Sequence, residues 1–145
     1  MKYHLSFHSE HFNILTGNEK MLAKIEEIKK NLYNIIGITL VYRLKKSVAH
    51  TEVDFAFVEC DGELDDLLKA IDGKIDKLNA IGINEITMWG LYEYEAQCNM
   101  EFTPEQMLIM GKNNIHFCIS CWEKADFKKG GETPRLSPGL CRRRE

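Results

Sequence analysis

The spacing of apolar residues along this chain alternates between two residues and three to four residues. A two-residue period places side chains on alternate faces of a strand, whereas a three-to-four-residue period lines one face of a helix. Tyr3, Leu5 and Phe7 alternate with polar residues, and residues 19–36 then have the helical period and end at Gly37. A chain with both patterns folds into helices packed on a sheet.

The same analysis predicts three helices and six strands in the whole chain. The helices are predicted at 19–36, 62–81 and 104–111, and the strands at 3–7, 38–44, 52–59, 86–94, 97–102 and 115–122. The third helix has the clearest start, because Thr103 can cap it, Pro104 suits its first turn and Gln106 completes a capping box. The predicted order is strand-helix-strand, repeated three times.

This order predicts an α+β fold with a mainly antiparallel sheet. The first two units have the βαββαβ order of a ferredoxin-like sheet with both helices on one face, and the third unit extends that sheet at one edge. We expect residues 1–124 to form a single domain. Residues 125–145 are basic, contain two prolines and carry few large apolar residues, so they are predicted to be a disordered tail.

Charge is unevenly distributed along the chain. Residues 124–145 carry seven Lys and Arg against three Asp and Glu, a net charge of +4, so the total of −3 leaves −7 for residues 1–123. An acidic body repels phosphate backbones, which argues against a nucleic-acid partner. Apolar runs such as 35–42 are too short to cross a bilayer, so no membrane partner is predicted either.

An acidic block and a group of aromatic residues are the candidate partner-binding residues. The acidic block contains no Lys or Arg and consists of Glu52, Asp54, Glu59, Asp61, Glu63, Asp65 and Asp66. A solvated face and helix capping are the alternatives to a binding face for these acids. Alternation places Trp89 and Leu91 on one face of their strand and Tyr92 and Tyr94 on the other, so some aromatics remain partly exposed. Exposed aromatics beside acids suit a protein interface, and we include Tyr92 and Tyr94 in it.

Cysteine and histidine residues offer the alternative of a metal, redox or catalytic site. Cys118 and Cys121 have chelating spacing, but on a strand they point to opposite faces, so no metal site is predicted. Five cysteines without an N-terminal signal peptide favour a reducing cytoplasm, with most of them packed as small core residues.

The histidines near the N-terminus are the remaining candidates for catalysis. His4 and His8 share one face of a regular strand, with His11 nearby, and the polar face of an edge strand explains them without a catalytic role. The chain contains no phosphate-binding glycine loop and no Gly-x-Ser-x-Gly turn. We therefore predict no catalytic residue and no cofactor.

Two segments resemble the C-terminal half of a bacterial family of unknown function. In residues 92–105, the strand pattern Asn99-Met100-Glu101-Phe102 leads into a helix start at Pro104-Glu105, and residues 115–123 follow as a final strand. Some family members occur near polymorphic-toxin systems, so the resemblance implies an immunity role. No catalytic residues are carried over with it.

The sequence thus predicts a non-enzymatic cytoplasmic protein-binding domain. Its expected role is that of an immunity protein, which neutralises a basic toxin through an acidic and aromatic surface. The alternative is a small enzyme or ligand-binding domain that uses the sheet face or the N-terminal histidines.

Overall fold

The computed structural model describes residues 1–10, 19–45, 55–95 and 99–124, which contain five strands and four helices. The strands are β1 (Lys2–His8), β2 (Val41–Lys45), β3 (Phe55–Gly62), β4 (Glu85–Tyr94) and β5 (Ile115–Glu123). The helices are α1 (Glu19–Ile36), α2 (Leu64–Ile71), α3 (Ile75–Ala80) and α4 (Pro104–Lys112). The predicted α+β class is confirmed, whereas the predicted tail at 125–145 lies outside the described residues.

The five strands form one mixed sheet in the order β2-β3-β1-β4-β5. The pairs β2-β3, β3-β1 and β1-β4 are antiparallel, but β4 and β5 are parallel. The prediction of a mainly antiparallel sheet was therefore wrong. The error came from the strand predicted at 97–102. Residues 99–103 form neither strand nor helix. The chain instead crosses back through α4, the kind of connection that parallel neighbours require.

Two of the three predicted helices are confirmed, α1 with the predicted bounds and α4 with one residue more at its end. The first, α1, ends at Ile36, and Gly37 follows with a left-handed φ of 73°. At the start of α4, the hydroxyl of Thr103 accepts a hydrogen bond from the backbone of Gln106, and the Gln106 side chain accepts one from the backbone of Thr103. This is the capping box that the sequence predicted.

The helix predicted at 62–81 is two helices. Gly73 adopts a φ of 71° between α2 and α3, a left-handed conformation that cannot continue a right-handed helix. The predicted start was also too early, because Gly62 still belongs to β3. The apolar period continues across the break, since Leu68, Ile71 and Leu78 are all buried. Periodicity alone therefore predicted one helix where two helices pack on the same core.

One face of the sheet packs on the helices. Its strand residues in the hydrophobic core include Leu5, Phe7, Val58, Ile86 and Met88, which meet apolar residues from all four helices. We call the other side the open face, because no described helix contributes to a core there. The open face consists of Lys2, His4, Ser6, His8, Val41, Arg43, Phe57, Glu59, Asp61, Glu85, Thr87, Trp89, Leu91, Glu93, His116, Cys118, Ser120 and Trp122. No helix in the described ranges is long and apolar enough to cross a membrane.

Candidate functional site

Strand β1 carries three polar residues through the middle of the open face. His4, Ser6 and His8 share this face, as their two-residue spacing predicts. The expectation that they lie on an edge strand was wrong, since β1 is hydrogen-bonded to β3 on one side and to β4 on the other. Side chains from both neighbours therefore surround the histidines.

His4 forms a pair with Asp61, which lies directly opposite it on β3. Nδ1 of His4 is hydrogen-bonded to Oδ1 of Asp61. Nε2 of the same ring is buried and has no hydrogen-bond partner in the described part of the chain. A buried ring nitrogen without a partner marks a place where an added hydrogen-bonding group would be stabilising.

His8 belongs to a second group, farther along the same strand. Its ring packs against Phe57, with ring centroids 5.6 Å apart. Burial lowers the pKa of His8, Glu85 partly opposes this, and His116 lowers the pKa further. Nδ1 of His116 in turn lies 3.6 Å from a carboxylate oxygen of Glu85. His8 is consequently neutral at pH 7, beside an acid on the next strand.

Small polar side chains lie between these two groups on the open face. Ser6 and Thr87 lie opposite each other on β1 and β4, and both are almost completely buried. Glu59 lies opposite Ser6 on the other side, and its carboxylate accepts a hydrogen bond of 2.8 Å from Nε of Arg43. The positive charge of Arg43 is thus already paired within the open face.

Two tryptophans provide the exposed aromatic surface of the open face. Trp89 is 37% exposed and lies opposite His4, whereas Trp122 is 42% exposed and lies opposite Glu93. The alternation predicted for β4 is confirmed, since Trp89 and Leu91 lie on the open face and Tyr92 and Tyr94 on the other. Trp89 therefore does not share a face with the two tyrosines that the sequence placed in the interface.

The structure divides the predicted acidic block between two surfaces. Glu59 and Asp61 lie on the open face, whereas Glu63, Asp65 and Asp66 lie at the start of α2. Asp65 there accepts a hydrogen bond of 2.8 Å from the side chain of Gln106. Acids at a helix start are favoured by the helix dipole, the alternative that the sequence left open. The remaining two predicted acids, Glu52 and Asp54, are outside the described residues.

Several open-face residues were not singled out as binding residues by sequence reasoning. Trp122, His116 and Cys118 are aligned with β4 only because β5 is its parallel neighbour. Arg43 lies on the open face as a residue of β2, and Glu85 as a residue of β4. Alternation within each strand shows which residues share a face, but it does not show which strands are adjacent.

The cysteines agree with only part of the prediction. Cys60 is buried in the core, and burial, with the nearby acids Asp61 and Glu59, raises the pKa of its thiol to about 12. Cys118 lies opposite Trp89 and Cys121 opposite Tyr92, so the prediction that they occupy opposite faces is confirmed. Cys118 is only half-buried and Cys121 is exposed, so Cys60 is the core residue among the three described cysteines, and Cys98 and Cys141 lie outside the described residues. Within the described ranges, no group of three or more His, Cys, Asp or Glu is placed to hold a metal ion.

Comparison with protein-family models, curated proteins and solved structures finds no match to this chain. The fold and the site define it as an α+β protein whose mixed sheet has an open face of histidines, acids and exposed tryptophans.

Proposed function

We propose that this chain is a non-enzymatic, cytoplasmic protein-binding domain that receives a basic protein on its open face. The observation that carries the proposal is the exposure of Trp89 and Trp122 on a face whose acids outnumber its basic residues. Tryptophan is enriched among the residues that dominate binding energy at protein interfaces. Its ring face also attracts the cationic side chains of a basic partner.

Electrostatics supports the same partner. Residues 1–123 carry a net charge of −7, so a basic protein is attracted before contact and associates faster. The side chain of Asp61 is 72% exposed and remains accessible beside His4. Glu85 and Glu93 add two more carboxylates to the face. An acidic face with two aromatic anchors suits an inhibitor that covers the active site of a basic toxin.

The proposed biological role is that of an immunity protein. The role is the one implied by the resemblance of residues 92–105 and 115–123 to a bacterial family, some members of which occur near polymorphic-toxin systems, although residues 99–102 do not form the strand of that pattern here. The test is co-expression with the products of the neighbouring genes, followed by measurement of complex formation and of the toxicity of any product that binds. We expect a complex that inhibits the toxin and weakens as salt is raised.

Two variants make this test specific for the open face. Trp89→Ala should lower the affinity by at least about tenfold, as expected for a central aromatic anchor. Leu108→Ala is the matched control, because Leu108 is 66% exposed on α4, away from the open face. Failure of the neighbouring gene product to bind, or equal effects of the two variants, would overturn the proposal.

We propose that β1 to β4, with α1 and α2, form a ferredoxin-like unit that α4 and β5 extend at one edge. The order β2-β3-β1-β4 with antiparallel neighbours supports this description. The extension differs from the predicted strand-helix-strand unit, because residues 99–102 of its first strand are not a strand.

The unpartnered nitrogen of His4 favours a second candidate, a ligand-binding or enzymatic site on the open face. A small polar molecule with a hydrogen-bonding group would satisfy Nε2 while the pair with Asp61 holds the ring in place. The test is a thermal-shift screen of small polar compounds against the wild type, His4→Gln and the control His116→Gln. A compound should raise the melting temperature of the wild type and the control but not of His4→Gln. A screen without any such compound would count against this candidate.

A further inference from the structure

One row of residues crosses the open face from strand to strand through His4. Asp61 lies opposite His4 on β3, and Trp89 lies opposite it on β4. Neighbouring strands are about 4.8 Å apart, so the backbones of β3 and β4 lie about 10 Å apart on the two sides of β1. A carboxylate and an indole ring therefore flank the His4 ring. We call Asp61, His4 and Trp89 the His4 row.

Asp61 is the acid of β3 that no Lys or Arg of the described residues pairs with. Its side chain is 72% exposed, and its ion-pair partner within that part of the chain is His4, which is bound to Oδ1. The other acid of β3, Glu59, already accepts a hydrogen bond from Arg43. The bond from His4 orients the Asp61 carboxylate and leaves its second oxygen for another donor.

Trp89 presents a ring that is available on the other side of His4. It is 37% exposed, and the aromatic ring pairs in the described ranges are His8 with Phe57 and Phe102 with Phe117, so no ring stacks on Trp89. Tryptophan attracts a cation over its ring face more strongly than the other aromatic side chains do. The His4 row thus combines an accessible negative charge with a ring that favours a cation.

We propose that the His4 row binds an arginine side chain of the basic partner, with the guanidinium group over His4, between the Asp61 carboxylate and the Trp89 ring. This inference rests on the proposed function and specifies which kind of residue the open face receives. A guanidinium group is planar, so its face can stack on an indole ring while the N–H groups at its edge donate to a carboxylate. The ammonium group of lysine is compact and strongly hydrated, so it gains less from this arrangement.

The experiment titrates the isotope-labelled full chain with three capped tripeptides and follows its amide signals by NMR at constant ionic strength. The central residue is arginine, lysine or citrulline, which has nearly the shape of arginine without its charge. Amides of 2–6, 59–62 and 88–91 should shift. We expect the arginine peptide to bind at least about threefold more tightly than the lysine peptide and about tenfold more tightly than the citrulline peptide.

Variants assign the binding to the His4 row. Asp61→Asn removes the charge, and Trp89→Leu removes the ring but keeps an apolar side chain, so each should weaken binding of the arginine peptide by at least about threefold. The matched control is Asp76→Asn, which changes the net charge equally at an exposed acid of α3, away from the open face, and should leave the affinity unchanged. The NMR spectrum also shows whether each variant remains folded.

Three results would overturn the inference: no measurable binding, equal affinities for the arginine and lysine peptides, or equal effects of Asp61→Asn and Asp76→Asn. The peptides require no partner, so this test is separate from that of the proposed function. Selective binding of the arginine peptide would support the His4 row even if no neighbouring gene product formed a complex, a result that would count only against the immunity role. A complex with such a product, without discrimination between the peptides, would overturn this inference alone.

Discussion

At the scale of single residues, His8 links folding to pH. Burial lowers its pKa from the ordinary value of 6.5, and the nearby Glu85 only partly opposes this shift. Below about pH 6.5 the unfolded chain binds a proton at His8 that the folded chain does not bind. The free energy of unfolding therefore falls as the pH drops from about 6.5 towards the folded-state pKa, and His8 has no such effect at higher pH.

His8→Gln should remove part of this pH dependence. We expect the variant to lose less stability than the wild type between pH 7 and pH 5, because its side chain does not titrate. Urea denaturation at each pH measures the free energy of unfolding. Parallel loss of stability in the two proteins would contradict the role assigned to His8.

Cys60 gives a second prediction at this scale. Its thiol is buried in the core and has a pKa raised to about 12, so almost no thiolate is present at pH 8. Iodoacetamide should therefore modify the exposed Cys121 well before Cys60 in the folded protein. Peptide mapping by mass spectrometry, with and without urea, measures the two rates. Equal rates in the folded protein would contradict this prediction.

At the scale of secondary-structure elements, Asn113 joins the end of α4 to the turn between α2 and α3. Its side-chain nitrogen donates to Asp72 at 2.9 Å and to the carbonyl of Ile109 at 2.8 Å. Its side-chain oxygen accepts from the backbone of Gly73 at 3.1 Å. Asn113 itself is almost completely buried, whereas its partner Asp72 is partly exposed and also forms an ion pair with Lys112.

Asn113→Ala should lower the free energy of unfolding by about 1–3 kcal/mol, because it removes three side-chain hydrogen bonds and leaves the backbone N–H of Gly73 without this acceptor. Asn114→Gly is the matched control. Asn114 has a φ of 52°, a conformation that glycine adopts without strain, so this variant should change stability by less than about 1 kcal/mol. Denaturant unfolding of both variants measures the difference. Similar losses in the two would contradict the role of the Asn113 side chain.

At the scale of the whole molecule, β1 holds the two sides of the sheet together. It lies between β3 and β4, and Phe7 contributes a fully buried side chain to the core that all four helices share. A single core of this kind is expected to unfold in one cooperative transition.

Phe7→Ala should lower the free energy of unfolding by about 3–5 kcal/mol, the range measured for large cavities in cores. Val41→Ala, at an exposed position, should change it by less than about 0.5 kcal/mol. Circular dichroism follows the backbone, and fluorescence follows Trp89 and Trp122 on β4 and β5. The two signals should report the same midpoint for every variant. Separate midpoints would show that the sheet does not unfold as one unit.

Local patterns determined those features that depend on neighbours in sequence. The helical period located α1, the residues from Thr103 to Gln106 located the start of α4, and alternation assigned Trp89 and Tyr92 to opposite faces. Each of these features depends on backbone and side-chain groups within a few residues, so the sequence by itself was sufficient.

Tertiary structure decided the features that depend on which strands are adjacent. The pairing of β1 with β3 placed His4 beside Asp61, 57 residues away in the chain. The parallel pairing of β4 with β5 made the sheet mixed and brought Trp122 to the open face. A strand pattern specifies its two faces but not its neighbours, because several pairings bury nearly the same apolar surface and only packing of the whole chain distinguishes them.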